Sequence, residues 1–250
     1  MSARLVGKTA VVTGAGAGIG RRVAERFAAE GATVVFTDRD EAAVTDAAAG
    51  VPGAVPIVMD IADEASVEAA FAEVSHLGLV VDVAVANAGI QLFGQDAPVA
   101  DLDLDVWRRT IDVNLTGTFL TLKHAVRAMQ QRGGSIIVTG SPTGLNGEGS
   151  QFTAYSSSKA GMHGMARAVA AAYSSAGIRV NTVVPGYTET PLVTAISSSP
   201  EDRAAIISRI PLGRPGQAED VEGIMVYLAS DESSYATGAI FRVDGGMTTL

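Results

Sequence analysis

Tyr155 and Lys159 stand four residues apart in the segment Tyr155-Ser156-Ser157-Ser158-Lys159. On a helix that spacing puts both side chains on one face. A free phenol titrates near 10 and is a poor base at neutral pH. A cation about 4 Å away favours the phenolate by roughly 4 kcal/mol at an effective dielectric near 20, about three pKa units. Lys159 would thus bring Tyr155 toward working pH as a proton-transfer group. Ser141 can hydrogen-bond the same substrate oxygen and hold it against Tyr155. Taken alone, the Tyr-x-x-x-Lys pair is common by chance, and an amphipathic helix face explains it better.

A second group of residues suits an anion. Thr13-Gly14-Ala15-Gly16-Ala17-Gly18-Ile19-Gly20 joins a β-branched run to a helical one. Glycine permits the sharp turn and the close approach of a phosphate, and the helix N-terminus offers free N–H groups. The common dinucleotide fingerprint needs glycine where this chain has Ile19, so the spacing here is Gly14, Gly18, Gly20. Asp38, about 20 residues past the glycines, can take both ribose hydroxyls of an adenosine and would repel a 2′-phosphate. The alternative, that Asp38 caps the next helix, suits Asp40 better. Asp60, followed by Ile61, can receive an adenine amino group or serve as a turn residue.

The elements that must hold these groups alternate along the chain. Strands are expected at 9–13, 33–37, 55–59, 81–86, 135–139, 179–184 and 240–243. Helices follow at 19–30, from about Asp40, from about Asp63, through Trp107 to Gln131, and through Tyr155. The strands read apolar throughout, as in a parallel sheet covered on both faces. This predicts an α/β, Rossmann-type, doubly wound parallel sheet of seven strands, with right-handed crossovers, in one domain spanning 1–250. An insertion around 188–212, helical at Glu201 to Arg209, reads as a substrate lid.

The 250 residues, 47% hydrophobic, can bury a core without metals or disulfides. The chain has no cysteine, which excludes disulfides, a thiol nucleophile and thiolate metal sites. A net charge of −9 argues against nucleic acid. No stretch of about 18 uninterrupted apolar residues suggests a membrane span, and the start lacks a signal-peptide pattern. A cytoplasmic location is expected.

The spaced motifs together resemble the compact, single-domain branch of the short-chain dehydrogenases/reductases. They are Thr13-Gly14-x-x-x-Gly18-Ile19-Gly20, Asp60, Ala86-Asn87-Ala88-Gly89, Asn114, Ser141, Tyr155-x-x-x-Lys159, Asn181, Pro185-Gly186, Thr188-x-Thr190 and Val243-Asp244-Gly245-Gly246. The resemblance implies a hydride transfer between NAD and a carbonyl or secondary alcohol. It implies that Tyr155 is the acid/base, Ser141 orients the oxygen, and Lys159 clamps the nicotinamide ribose and lowers the tyrosine pKa. Asn114 would distort its helix and hold a water in a proton relay to Lys159, where a plainer reading makes it a satisfied buried amide. Asn87 and Gly89 would lie along the adenosine ribose. Pro185, Gly186 and Thr190 would contact the nicotinamide, with Thr188 near its carboxamide. Ala17 stands where NADP-using relatives often carry a base, which favours NAD, while Arg39 could neutralise an added phosphate.

Family members pair the long helix and the Tyr155 helix with their copies, so a homotetramer is expected. Ala160, Gly161, Gly164 and Ala168 would allow close approach, unless they pack on the sheet. The expected substrate is a small, uncharged or weakly charged secondary alcohol or ketone: a polyol, a sugar-derived or a cyclic alcohol. The expected pocket is Pro142 to Phe152, Tyr187 and the lid, with Glu148 and Gln151 as hydroxyl binders or solvated side chains. The main rival is a 3-oxoacyl-carrier-protein reductase. Such an enzyme docks an acidic carrier on basic positions that match Ser135 and Ala176 here, though Arg132 and Arg179 are near. A non-catalytic redox sensor and an extended-branch epimerase fit less well.

Overall fold

Val, Ile and Thr crowd the strand segments because branched side chains pack well on a pleated surface covered on both sides. The computed structural model describes residues 3–147, 149–193 and 199–249. Its strands are β1 (Thr9–Thr13), β2 (Thr33–Asp38), β3 (Val55–Val58), β4 (Val83–Ala86), β5 (Gly134–Thr139), β6 (Ile178–Pro185) and β7 (Ile240–Val243). All pair in parallel in the order β3-β2-β1-β4-β5-β6-β7. The expected sheet is therefore present, in one domain.

The helices are α1 (Gly18–Ala29), α2 (Glu41–Ala49), α3 (Glu64–His76), α4 (Leu104–Ile111), α5 (Gly117–Met129), α6 (Thr153–Tyr173), α7 (Pro200–Ile207) and α8 (Ala218–Ala229). One core cluster joins the sheet to α3, α5 and α6 through residues such as Phe71, Leu120, Met129 and Met162. The other joins it to α1, α2 and α8 through Phe27, Val44, Met225 and Leu228. Burying one such side chain contributes roughly 1.5–3 kcal/mol. The expectation of uniformly apolar strands fails at the margin. In β3 partly buried and exposed positions alternate, because an edge strand meets solvent on one side. Pro56 is tolerated there for the same reason.

The strand order reverses between β1 and β4. At that point the C-terminal ends of neighbouring strands part and leave a crevice, the usual ligand site of such sheets. The long helix through Trp107 is present but not uniform. Between α4 and α5 it runs through a π-helical turn at Asp112–Thr116.

Candidate active site

A cleft of about 610 Å³ opens at this crevice. At one end it is lined by Gly14, Gly18, Ile19, Asp38, Asp60 and Ile61. Asn87, Gly89, Ser141, Tyr155 and Lys159 line its middle, and Pro185, Gly186, Thr188 and Thr190 the far side. Two expected residues, Gly20 and Asn114, are not on its wall. Gly20 is behind it, where a Cβ would lie 2.2 Å from the Gly14 carbonyl oxygen and 2.5 Å from Asn87 Nδ2. It makes the turn possible and does not face the cleft.

The glycine turn fits a dinucleotide pyrophosphate. Gly14 and Gly18 have φ of 65° and 55°, which L side chains adopt only with strain. Residue 17, at the N-cap of α1, gives no side-chain capping bond, and the first turn holds no acidic residue. The helix start therefore presents N–H groups and positive partial charge to the cleft. Gly16, which the motif reading passed over, fixes Asp38. Its N–H donates to Asp38 Oδ2 at 3.1 Å, and a Cβ there would come within 2.9 Å of the same oxygen. Asp38 Oδ1 accepts from Asp40 N at 3.1 Å, while Asp40 itself caps α2 through Ala43 N. Asp60 is a turn residue that also lines the cleft, since its Oδ1 accepts from Ala62 N at 2.9 Å.

Asn87 ties the strand ends together. Its Nδ2 donates to Thr13 O at 3.1 Å, and its Oδ1 accepts from Thr139 Oγ1 at 3.2 Å. Across the cleft, a Cβ on Gly18 would touch Thr190 at 3.4 Å, so the loop after β6 closes on the glycine turn. At Gly186 a Cβ would lie 2.7 Å from Asp244 Cα. That close approach explains the glycine and gives Asp244-Gly245-Gly246 a supporting role.

The reacting end is built on β5 and α6. Ser141 and Tyr155 share the cleft wall, and Ser141 works to lower the Tyr155 hydroxyl. Its Oγ also lies 3.1 Å from Thr143 Oγ1, a second hydroxyl on the cleft wall. Pro142 starts a short 3-10 turn that Ser141 caps, so its missing N–H leaves nothing unsatisfied. Lys159 Nζ donates to Thr139 O at 2.9 Å and lies 5.6 Å from the centre of the Tyr155 ring.

Burial pushes the Tyr155 hydroxyl up to about 12, against a smaller lowering by Ser141. It pushes Lys159 down to about 8. Desolvation penalises both charged forms, and the lysine directs its hydrogen bond to Thr139. Burial thus favours the protonated form of Tyr155.

Asn114 is fully buried in the π-helical turn. It accepts from Ile90 N at 2.8 Å and donates to Ile90 O at 2.9 Å and Ser158 Oγ at 3.1 Å. The side-chain amide is satisfied within the protein, so a relay would have to use the backbone that the π turn loosens.

Asp96 was not legible as a site residue. Its buried carboxylate accepts from Ala154 N at 3.0 Å and Tyr155 N at 2.9 Å. The N-cap residue of α6, Phe152, makes no side-chain bond, so Asp96 caps this helix from the loop after β4. It positions Tyr155 without touching the cleft. Of the expected pocket residues, Pro142, Phe152, Tyr187, Leu192 and Ile206 line the cleft and Gln151 does not. Glu148 and residues 194–198 of the expected lid lie outside the described residues.

Residues 14–248 match the family model described as enoyl-(acyl carrier protein) reductase. Over 248 residues the chain is 40% identical to the cis-4-hydroxycyclohexanecarboxylate dehydrogenase of Sinomonas cyclohexanicum, covering 97% of each. It is 39% identical over 249 residues to a 3-oxoacyl-(acyl-carrier-protein) reductase of Thermotoga maritima, covering 98% of this chain and 99% of that one. A solved short-chain type dehydrogenase/reductase from Mycobacterium marinum superimposes with a TM-score of 0.93 at 39% identity, covering 99% and 98% of the two chains. A structure from Beutenbergia cavernae, assigned as an NAD(P)-dependent gluconate 5-dehydrogenase, carries NADP at low occupancy. It matches with a TM-score of 0.92 at 35% identity, covering 100% of both.

Proposed function

The chain belongs to the short-chain dehydrogenase/reductase family, and on that premise we propose that it moves a hydride between NAD and a small secondary alcohol or its ketone. The observation that carries this reading is one cleft with Asp38 at one end and Ser141, Tyr155 and Lys159 at the other. Bound nicotinamide would supply the hydride acceptor or donor. Ser141 and Tyr155 hold the substrate oxygen between two hydroxyls. Tyr155 gives that oxygen a proton in reduction; in oxidation it would take one as the phenolate, a form that the positive charges of Lys159 and an oxidised nicotinamide would favour. Lys159 contributes positive charge beneath the tyrosine and donors for a ribose. Because Ser141, Tyr155, Lys159 and Asn114 are all present, a non-catalytic sensor is the weaker reading.

NAD is favoured over NADP because Asp38 is fixed by two backbone N–H groups where a 2′-phosphate would come. Arg39, exposed on the same wall, is the opposing feature. We expect kcat/KM to favour NAD, and Asp38→Ser to narrow the ratio by about tenfold, or 1.4 kcal/mol. Equal use of both cofactors by the unmodified protein would refute the assignment.

The substrate class is chosen against the carrier-protein thioester, to whose reductases the chain is nearly as similar as to an alcohol dehydrogenase. Charge separates the two. The net charge of −9 repels an acidic carrier. Ser135, at one of the matching docking positions, is buried and donates to Leu228 O. Arg179 is turned inward onto the carbonyls of Leu228, Ser230 and Ala236. A panel of polyols and cyclic alcohols with NAD, run beside an acetoacetyl thioester with NADPH, tests the choice. Efficient thioester reduction with little alcohol oxidation would promote the rival.

We also propose a cytoplasmic homotetramer. Absence of cysteine suits a reducing compartment, and no helix of the described residues is long and apolar enough to cross a membrane. Phe119 on α5 is 48% exposed, and β7 is a sheet edge, so both faces suit a second copy. A Cβ on Gly164 would meet nothing, whereas one on Gly161 would meet Leu115, so only part of the small-residue stripe is open. Light scattering at micromolar concentration should give about four times the 25.5 kDa chain mass; a monomer would exclude the assembly.

A further inference from the structure

Tyr155, Lys159 and His163 follow one another at four-residue intervals along α6, so the three share one face. The first two line the cleft and His163 does not. It is nonetheless 2% exposed, and it packs against the segment that carries Ser141.

That segment leaves the sheet just before the serine. β5 ends at Thr139, and Gly140 N still donates to Val183 O of β6. Ser141 is the next residue. Its buried N–H needs a partner, and it donates to His163 Nε2 at 3.4 Å. Pro142 has no N–H to offer, and Thr143 N turns back to Ser141 Oγ at 3.4 Å. The imidazole therefore holds the Ser141 backbone from outside the turn.

Two glycines make room for the ring. A Cβ on Gly140 would lie 2.3 Å from His163 Nε2, and one on Gly144 would lie 2.9 Å from His163 Cε1. Neither glycine has a positive φ, so close approach and not backbone conformation accounts for them. The ring fills the space that side chains would need on both sides of Ser141. Accepting through Nε2 requires the neutral imidazole, with its proton on Nδ1. Burial, aided by the charge of Lys159 one turn back, pushes His163 down to about 4, so the ring is neutral at working pH.

We propose that His163 is a positioning residue, whose imidazole fixes the backbone at Ser141 and so sets the serine hydroxyl against the reacting oxygen. This rests on the alcohol and ketone reading above. A misplacement of about 1 Å at a reacting centre costs on the order of 10²-fold in rate. Loss of this anchor should therefore appear in kcat and not in cofactor affinity.

The test is a double-mutant cycle in the purified full chain, with NADH and the panel ketone that the unmodified protein reduces fastest. His163→Leu fills the space without an acceptor. It should lower kcat by about tenfold and leave NADH affinity within about twofold. In a Ser141→Ala background the same change should cost less than about threefold, because the hydroxyl it positions is gone. Glutamine reaches the place of Nε2 with an acceptor and asparagine does not. His163→Gln should thus keep several times the kcat of His163→Asn, and that advantage should vanish with Ser141→Ala. This pair carries the same comparison if His163→Leu does not fold.

An unchanged kcat, no advantage of Gln over Asn, a loss shared with NADH affinity, or an equal loss with and without the Ser141 hydroxyl overturns the inference. His163 would then be packing alone, and the alcohol reading would stand. Reduction of no ketone by the unmodified protein, or a Ser141→Ala variant as fast as its parent, overturns that reading of the site and this inference with it.

Discussion

Tyr155→Phe is expected to lower kcat by roughly 10³-fold, within the 10²–10⁴ range of a positioned general acid. NADH affinity should stay near that of the unmodified protein. The ring is buried and its packing survives the substitution. Only the hydroxyl is removed, and Ser141 keeps Thr143 as a neighbour at 3.1 Å. Burial holds the hydroxyl at about 12, so near neutral pH it carries its proton and can give it to a ketone oxygen. Steady-state reduction of a panel ketone with NADH and fluorescence titration with NADH separate the two effects. A variant that keeps a tenth of kcat shows that Tyr155 is not the acid/base. Loss of NADH binding along with rate would point instead to a collapsed site.

The sheet and the glycine turn are legible in the sequence because local rules decide them. β-branched runs form the strands, and Asp40 caps α2 as its type and place suggest. Positive φ at Gly14 and Gly18 follows from the turn they must make. What stays hidden depends on groups far apart in the chain. Asp96 caps α6 from 58 residues away through Ala154 N. Gly16 matters through Asp38, 22 residues on. The π-helical turn is not predicted by periodicity, since Asp112-Val113-Asn114-Leu115-Thr116 carries no helix-breaking residue. Its position becomes intelligible once Asn114 is seen bonded to Ile90 and Ser158. The burial of Tyr155 and Lys159 is hidden for the same reason. Four-residue spacing brings lysine to the tyrosine ring, but the Thr139 carbonyl and the dry surroundings decide which charges are tolerated.

Lys159→Met should therefore reduce function and remove a source of instability together. The lysine is 4% exposed, and burial pushes it down to about 8 from an ordinary 10.5. Below pH 8 both folded and unfolded chains carry the charge, and the folded chain bears its desolvation. Between about 8 and 10.5 the folded lysine releases its proton while the unfolded one keeps it. The unfolded state then binds more protons, so this group makes stability rise with pH across that window. From pH 7 to pH 9.5 the gain is about 2 kcal/mol at 1.36 kcal/mol per unit above 8. Methionine carries no charge, so the variant should lack this rise. At pH 7 the relief of the buried charge is offset by leaving Thr139 O without its donor, at about 1–3 kcal/mol. The slope is thus the sharper measurement than the absolute stability. Urea unfolding at pH 7 and 9.5 reads it directly, and a variant whose stability climbs as steeply as the parent's contradicts a buried, weakened Lys159. The same substitution should weaken NADH binding and lower kcat/KM by on the order of 10²-fold, because it removes both the ribose donors and the charge beneath Tyr155. A normal rate in a variant with a flattened pH profile would mean that Lys159 is a strained structural lysine, and the proton chemistry would have to be assigned elsewhere.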